Sequence, residues 1–317
     1  MILRNKVLLI VIKFLLITIF YFYLEKQKQQ QIVYEDTYYL LKNNTNQKTI
    51  LNQLKLKKIN IEYFNWRILS LIRNDDFVPK AGEYLIKKNS TIQDIQDIFH
   101  NEKTIVRNFI LLEGTTSINL RKRLLENPYL SGDIISLKEG IYKPDTYYFK
   151  YGYSRNQLLE RMKIAQNKIL EDIWNNKPKN FVLKSKKELL ILASIIQSET
   201  SDKEDSKLVA SVFINRLKKN MKLQSDVTLA YGFNVNGQKI TKKMLKSKNP
   251  YNTYYHAGLP PTAISYPGEI ALKSLKYIKK TNYLYFVSNG KGRHRFSETY
   301  SLHKKNIKLW KNNIIKD

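Results

Sequence analysis

A continuous apolar run near the N-terminus constrains this chain more than any other feature. Residues 7–24 read VLLIVIKFLLITIFYFYL and contain a single charged side chain, Lys13. As a helix, at about 1.5 Å per residue, the run would be about 27 Å long, enough to cross a thin hydrocarbon core. Lys13 would cost about 2.5–3.5 kcal/mol at mid-membrane, and less if its ammonium group reached the interface. The sequence therefore predicts a transmembrane helix over residues 7–24.

A cleaved signal peptide is the alternative interpretation of this run. Cleavage requires small residues directly after the apolar stretch, whereas residues 23–26 are Tyr, Leu, Glu and Lys. We therefore predict an uncleaved, single-pass anchor, with residues 1–6 as a cytoplasmic tail and residues 25–34 as a linker. The short tail favours a cytoplasmic N-terminus, which places the rest of the chain outside the cytoplasm.

The composition excludes some chemistries. The 317 residues include no cysteine, so disulfides and thiolate chemistry are excluded. The four histidines lack the paired spacing of metal ligands, and we expect neither a metal nor a cofactor. A net charge of +28 could indicate nucleic-acid binding. Because the basic residues are spread along the whole chain without a stripe interleaved with aromatic residues, we expect no nucleic-acid partner. The charge fits a membrane surface or an anionic polymer equally well.

The part after the anchor is predicted to be an α+β body. A turn at residues 78–82 precedes a candidate strand at residues 83–86 (EYLI), and residues 90–94 (STIQD) predict the capped start of a helix. This order of turn, strand and short helix is typical of small glycan-binding modules of the LysM type. The predicted boundaries are 35–103 for this LysM-like unit, 104–183 for a connecting region and 184–317 for a larger, mixed domain.

A buried helix that ends in an acid is the main feature of the larger domain. Residues 188–196 (ELLILASII) are apolar on nearly every face. Glu199 follows Ile196 and Ile195 by three and four residues and so extends their face. Ser and Glu at the capping-box spacing in residues 201–204 predict the start of the next helix. We therefore predict a lysozyme-like helical corner that carries Glu199 and opens onto a cleft.

A shielded carboxyl group of this kind suits the cleavage of glycosidic bonds. An acid must protonate the departing oxygen, and hydrolases commonly use a second carboxylate as well. In a lytic transglycosylase the C6 hydroxyl of muramic acid attacks, so one glutamate can serve both steps. Its pKa should be raised from about 4.3 towards 6 by apolar surroundings. Glu199 is the predicted catalytic residue. An ordinary glutamate at a helix end is the alternative, although an acid there opposes the helix dipole.

Polar and aromatic residues further along the chain provide candidate substrate contacts. The first group, residues 224–226, could bind sugar hydroxyls or orient Glu199, although a capped turn explains these residues equally well. The second group, at residues 251–254, combines aromatic rings with an amide, as sugar-binding sites do, although packing explains these residues equally well. Arg216 is expected either to pair with a nearby carboxylate such as Asp226 or to lie on a solvated helix face. The predicted substrate-binding residues are Gln224, Ser225 and Asp226 in the first group and Tyr251, Asn252 and Tyr254 in the second.

Several blocks in one order resemble the endolytic murein transglycosylase family. The resemblance runs from the anchor to near the C-terminus and is strongest over residues 189–303. Residues 81–82 and 144–146 fit the N-terminal part of the same family. The blocks are 192–200 (LASIIQSET), 210–217 (ASVFINRL), 221–232 (MKLQSDVTLAYG), 250–254 (PYNTY), 258–261 (GLPP) and 283–287 (YLYFV).

The resemblance implies an enzyme of the bacterial inner membrane whose domain at residues 184–317 is catalytic. It would cleave the MurNAc–GlcNAc β-1,4 bond of nascent peptidoglycan strands internally, leave 1,6-anhydromuramic ends, and act beside the cell-wall synthesis machinery. The family's catalytic glutamate precedes a threonine and corresponds to Glu199. The chain departs from the family pattern at Gln197, where a second glutamate is usual, at Val227, where proline is favoured, and at Thr262, where glycine is favoured.

Two other functions remain open on the residues alone. The first is a membrane-tethered wall-binding module without catalysis, in which Glu199 has no chemical role. The second is a muramidase that uses Glu199 and Asp226 as two carboxylates and consumes water.

Overall fold

The computed structural model describes residues 2–72, 79–235 and 240–314. Residue 1 of the predicted tail, Val78 of the predicted turn and residues 315–317 of the predicted C-terminal domain therefore lie outside the described residues. The fold is mixed α/β with an apolar N-terminal helix, as predicted. The chain separates into two compact units, Met1–Arg107 with Tyr148–Gly152, and Asn108–Tyr147 with Tyr153–Asp317.

The first unit packs helices against a two-stranded antiparallel sheet. Strands β1 and β2 pair with Tyr39 opposite Tyr84, and both rings are buried against Phe99. The last helix begins at a capping box in which Thr91 and Asp94 exchange hydrogen bonds, because a hydroxyl and a carboxylate three residues apart satisfy each other's backbone N–H groups. The elements are α1 (Ile2–Gln29), β1 (Thr37–Leu41), α2 (Gln47–Leu56), α3 (Tyr63–Ile72), β2 (Gly82–Ile86) and α4 (Ile92–His100).

Helix α1 contains the predicted apolar run and extends beyond it. Among the described residues it is the one helix long and apolar enough to cross a membrane, a property that anchors share with signal sequences. Its large apolar side chains from Val7 to Tyr23 are exposed, and Leu24 is buried. The Tyr23 hydroxyl donates to Oδ1 of Asn65 at 2.8 Å, and the Asn65 amide donates to Gln27 at 3.0 Å. These bonds fasten the polar end of α1 to α3.

The second unit is mainly helical. Strands β4 and β6 pair in parallel and β7 and β8 antiparallel, while the division between the units falls within β3 and β5. The elements are β3 (Val106–Leu111), α5 (Ser117–Glu126), β4 (Leu130–Ser131), β5 (Asp145–Lys150), β6 (Tyr153–Ser154), α6 (Arg155–Asn175), α7 (Lys186–Glu199), α8 (Lys203–Lys218), α9 (Asp226–Gly232), α10 (Lys242–Leu245), α11 (Glu269–Lys276), β7 (Tyr285–Ser288), β8 (His294–Ser297) and α12 (Tyr300–Ile314).

Helix α7 is the centre of this unit, and the prediction that it is buried is confirmed. Every side chain over residues 189–196 is buried, and the helix packs against α6, α8, α9 and α11. Its N-cap is Ser185, whose hydroxyl accepts the N–H of Glu188. It ends at Glu199 because Thr200 is extended, with φ −157°. A helix surrounded by other helices can present a polar side chain to a cleft only near its ends, and Glu199 occupies such an end.

The start of α8 differs from the prediction. The N-cap is Asp202, whose Oδ1 accepts the N–H groups of Glu204 and Asp205 at 3.0 and 2.9 Å. The predicted cap at Ser201 is therefore wrong by one residue. A carboxylate is the better acceptor at this position because it also neutralises the positive end of the helix dipole.

Candidate active site

The carboxyl group of Glu199 is held by one short hydrogen bond. Its Oε1 accepts from the hydroxyl of Ser225 at 2.6 Å. Solvent still reaches part of the residue, but the carboxyl group itself is surrounded by protein atoms. This burial is the largest effect and raises the pKa of Glu199 to about 7. The Ser225 bond and the charge of Arg216 lower the pKa, and the charge of Asp226 raises it.

The turn that carries Ser225 is fixed by its backbone. Gln224 adopts a left-handed φ of 49°, which is uncommon for a residue with a side chain. Its N–H donates to the carbonyl of Thr253 at 3.1 Å, and the N–H of Ser225 donates to the Thr253 hydroxyl at 3.0 Å. The hydroxyl of Thr228 donates to the carbonyl of Ser225 at 2.8 Å. The Ser225 hydroxyl is therefore directed at Glu199 by a turn that is bonded on both sides.

Arg216 holds the segment that leads into this turn. Its guanidinium group donates to the carbonyl of Leu284 at 2.7 Å, to that of Leu223 at 2.6 Å and to that of Lys222 at 3.3 Å. It also lies over the ring of Tyr285, with its carbon 5.3 Å from the ring centroid. One buried cation therefore holds the segment before Ser225 against strand β7.

The predicted ion pair between Arg216 and Asp226 is wrong, and so is the solvated face. Only 7% of Arg216 is exposed, and Asp226 accepts instead from the hydroxyl of Tyr254 at 2.7 Å. Arg216 follows the buried Val212 and Phe213 by four and three residues and therefore shares their face of α8. That spacing alone indicates burial. A buried guanidinium needs acceptors, and backbone carbonyls supply them here.

Asn252 is part of the frame around the site. It is fully buried, and its amide nitrogen donates to the carbonyls of Ser247 at 2.7 Å and Leu245 at 3.1 Å. Its Oδ1 accepts the N–H of Tyr254 at 3.0 Å. Asn252 therefore holds the loop that brings the Tyr254 hydroxyl to Asp226.

Tyr251 belongs to a different set of contacts from Glu199. Its ring meets that of Tyr231 edge-on, with centroids 5.0 Å apart. Its hydroxyl shares a hydrogen bond of 2.8 Å with that of Thr262. Of the predicted site residues, the structure thus gathers Ser225, Asp226 and Tyr254 around Glu199, with Gln224 and Asn252 in the supporting turns and Tyr251 apart.

A model of the YceG-like family matches residues 39–309. The chain belongs to the YceG-like family. It is 34% identical over 199 residues to the endolytic murein transglycosylase of Bacillus subtilis (strain 168), across 61% of this chain and 55% of the relative. It is 32% identical over 176 residues to the endolytic murein transglycosylase of Streptococcus pneumoniae serotype 2 (strain D39), across 53% of this chain and 31% of the relative. The match thus spans about half or less of these curated relatives.

A solved structure supports the same family. The crystal structure of a YceG-like protein from Listeria monocytogenes superposes with a TM-score of 0.53 at 27% identity, and covers 86% of this chain and 99% of that one. The family predicted from the sequence blocks is thereby confirmed.

In this YceG-like chain the side chain of Gln197 makes a specific hydrogen bond. Its Oε1 accepts the N–H of Gly268, at the start of α11, at 2.9 Å. Gly268 has an extended backbone with φ −78°, and the carboxyl group of Glu113 lies where a Cβ at position 268 would be, so a side chain there would displace that carboxyl group. A glutamate at position 197 could accept the same bond. The glutamine keeps the acceptor while leaving out a second charge near Glu199.

A second buried carboxyl group in this YceG-like unit was not among the predicted site residues. Glu139 accepts from the N–H and the hydroxyl of Ser117 at 2.8 and 2.7 Å and from the hydroxyl of Tyr231 at 3.0 Å. Burial raises the pKa of Glu139, and these hydrogen bonds lower it. Its partners are far away in sequence, so no local spacing could indicate the cluster.

Proposed function

We propose that this chain is a peptidoglycan lytic transglycosylase in which Glu199 is the acid and then the base. The observation that supports it most is the carboxyl group of Glu199, whose pKa of about 7 lets it give and take a proton near neutral pH. The curated relatives named above are called endolytic murein transglycosylases, which agrees with this chemistry.

The reaction needs no group beyond the strand and this site. Glu199 protonates the oxygen of the MurNAc–GlcNAc β-1,4 bond, and the bond from that oxygen to C1 breaks. The C6 hydroxyl of the same muramic acid then attacks C1, and the Glu199 carboxylate accepts its proton. The products are a free sugar end and a 1,6-anhydromuramic end, and no water is consumed.

The neighbours of Glu199 have distinct roles in this proposal. Ser225 orients the carboxyl group and stabilises its charged form during the second step. Asp226 places a negative charge beside the reaction centre, where positive charge develops on the sugar. Tyr254 orients Asp226 and presents its ring to the strand. Gln224 and Asn252 act through the turns that they hold, and Tyr251 contacts the strand further away.

The same proposal places the protein at a membrane. Helix α1 is the single-pass anchor in the bacterial inner membrane, with the enzyme on the periplasmic side, next to nascent strands and the machinery that makes them. The unit at residues 35–103 binds glycan in the manner of a LysM module. Residues 104–183 connect this unit to the catalytic domain. The catalytic domain, residues 184–317, carries Glu199 at its lysozyme-like corner.

Asp226 gives the hydrolytic alternative a specific basis. Its charge acts on Glu199, so two carboxyl groups share this site, as in a muramidase. The mass of the cleaved ends separates the two reactions, since an anhydro end is one water lighter than a hydrolysed end. The test is digestion of purified strands by the full-length protein in detergent. Hydrated ends would establish the muramidase, and the absence of any cleavage would leave only a wall-binding role.

A further inference from the structure

A cleft lies beside the N-terminal half of α7, away from Glu199. Its volume is about 620 Å³, within the range of small-molecule sites, and its wall includes Lys187, Leu190 and Ile191 of that helix. Leu190 precedes Glu199 by nine residues, which is about 13 Å along the helix axis. The cleft is therefore separate from the group proposed to cleave the strand. We call it the Tyr251 cleft, after the aromatic ring in its wall.

The aromatic part of the Tyr251 cleft is rigidly built. Tyr231 and Tyr251 pack edge-on, and the Tyr231 hydroxyl is held by the Glu139 carboxylate, which Ser117 holds in turn. The backbone next to Glu139 is fixed as well. Gly140 has a left-handed φ of 80°, and a Cβ there would lie 2.6 Å from that of Ala263. The acceptor oxygens of Glu139 are thus engaged by protein donors, so this carboxyl group positions a ring instead of presenting a free charge.

Two cations border the cleft. Lys138 and Lys187 line it, and both residues are exposed. Within the described chain, no carboxylate lies at ion-pair distance from either of them. An aromatic wall with lysines at its edge suits a sugar that carries an acidic substituent, because the ring contacts the apolar face of the sugar and the ammonium group contacts the acid.

The cleft and the Glu199 site are connected through shared elements. Helix α9 begins at Asp226, beside Glu199, and carries Tyr231 in its last turn. The loop over residues 251–254 makes the same connection, since Tyr251 lines the cleft and Tyr254 bonds Asp226. A polymer bound at Glu199 and lying along α9 would therefore reach the cleft.

We propose that the Tyr251 cleft is a distal subsite for the strand, in which Tyr251 contacts a sugar and Lys187 contacts a carboxylate of the peptide attached to it. This rests on the proposed function. It adds that the protein distinguishes peptide-bearing strands from bare ones at a position away from the cleaved bond.

Lys187 and its neighbour Lys186 provide a matched pair for the test. Lys186 also lies in the first turn of α7, but it pairs with Glu171 and does not line the cleft. The full-length protein in detergent is given strands of equal length, with their peptides or stripped of them. Lys187→Ala should lower kcat/KM by about two- to fivefold on peptide-bearing strands only, as expected for one exposed ion pair. Lys186→Ala should leave kcat/KM unchanged on both kinds of strand.

A second variant tests the sugar contact. Thr262→Trp places a large ring in the cleft, and circular dichroism confirms the fold. It should slow cleavage of long strands and leave short oligosaccharides that reach only Glu199 unchanged. Equal effects of the two lysine variants, or equal slowing of long and short substrates, would overturn the subsite. If the unaltered protein yields no anhydro ends, the proposed function fails instead, and strand binding by the same variants still decides the subsite.

Discussion

The hydroxyl of Ser225 donates to Oε1 of Glu199 at 2.6 Å, from a turn that Arg216 holds in place on its other side. Burial alone would favour the neutral form of Glu199, and the Ser225 bond opposes it. The pKa of about 7 is the balance of these effects together with the charges of Asp226 and Arg216. Each contributor can be removed separately, and each removal shifts the balance in a stated direction.

Glu199→Gln removes the transferable proton but keeps the size of the side chain. General acid–base catalysis typically contributes about 10²–10⁴-fold, and in the proposed mechanism one group serves both steps. The release of anhydro-ended fragments should fall by at least that range, while strand binding and the circular dichroism spectrum persist. Near-normal turnover by this variant, with complete loss in Asp226→Asn, would identify Asp226 as the acid.

The same variant should alter the pH dependence of stability. The pKa of Glu199 is raised in the folded state, so the folded protein binds more protons than the unfolded chain between the ordinary glutamate pKa and about 7. The free energy of unfolding therefore falls as the pH rises through this window. In Glu199→Gln the free energy of unfolding does not fall in this way. The difference in melting temperature between this variant and the unaltered protein should therefore favour the variant more at pH 8 than at pH 5. A constant difference across the window would contradict the raised pKa.

Ser225→Ala removes the bond that favours the charged form of Glu199. The pKa of Glu199 should rise above about 7, and the pH profile of kcat should move to higher pH. A hydrogen bond to a charged group is worth about 1.5–3 kcal/mol, so kcat should fall roughly 10- to 100-fold. Ser201→Ala, at an exposed serine just after α7, is the control and should change neither quantity.

Asp226→Asn should move the same profile in the opposite direction. Its negative charge raises the pKa of Glu199, so its removal should shift the profile of kcat to lower pH. Activity should fall less than in Glu199→Gln because Glu199, the proposed proton donor, remains. Tyr254→Phe, which leaves the charge and removes the hydroxyl that bonds it, provides the comparison. Parallel shifts in Asp226→Asn and Ser225→Ala would show that Asp226 does not act through its charge.

Arg216→Lys tests the role of the guanidinium group as a clamp. Lysine keeps the positive charge but cannot reach the carbonyls of Leu223 and Leu284 together. Each buried carbonyl left without a donor costs about 1–3 kcal/mol, so the melting temperature should fall. The kcat should fall as well, and less than additively with Ser225→Ala, because both changes release the same carboxyl group. Additive losses of kcat would show that Arg216 does not act through the carboxyl group of Glu199.

The parts of the site that followed from the sequence are those set by local periodicity. The apolar run over residues 188–196 predicted the buried helix, and its spacing to Glu199 predicted an acid on the same face at the end of that helix. Arg216 was misassigned, although its spacing to Phe213 indicated burial, because nothing local identifies backbone carbonyls as its acceptors. The bonds of Glu139 to Ser117 and Tyr231 join segments far apart in the chain, and only the fold brings them together.

The bonds at the end of α1 have a mechanical consequence. Tyr23 and Gln27 hold Asn65, and Ile32 donates its N–H to the carbonyl of Ser90 at 3.0 Å, so the stretch that leaves the helix is stitched to the first unit. If α1 crosses a membrane, this unit is connected to the membrane-spanning helix rigidly and not through a flexible linker. A rigid connection limits the depth and tilt that the unit can sample, so whatever the unit binds must lie close to the bilayer surface.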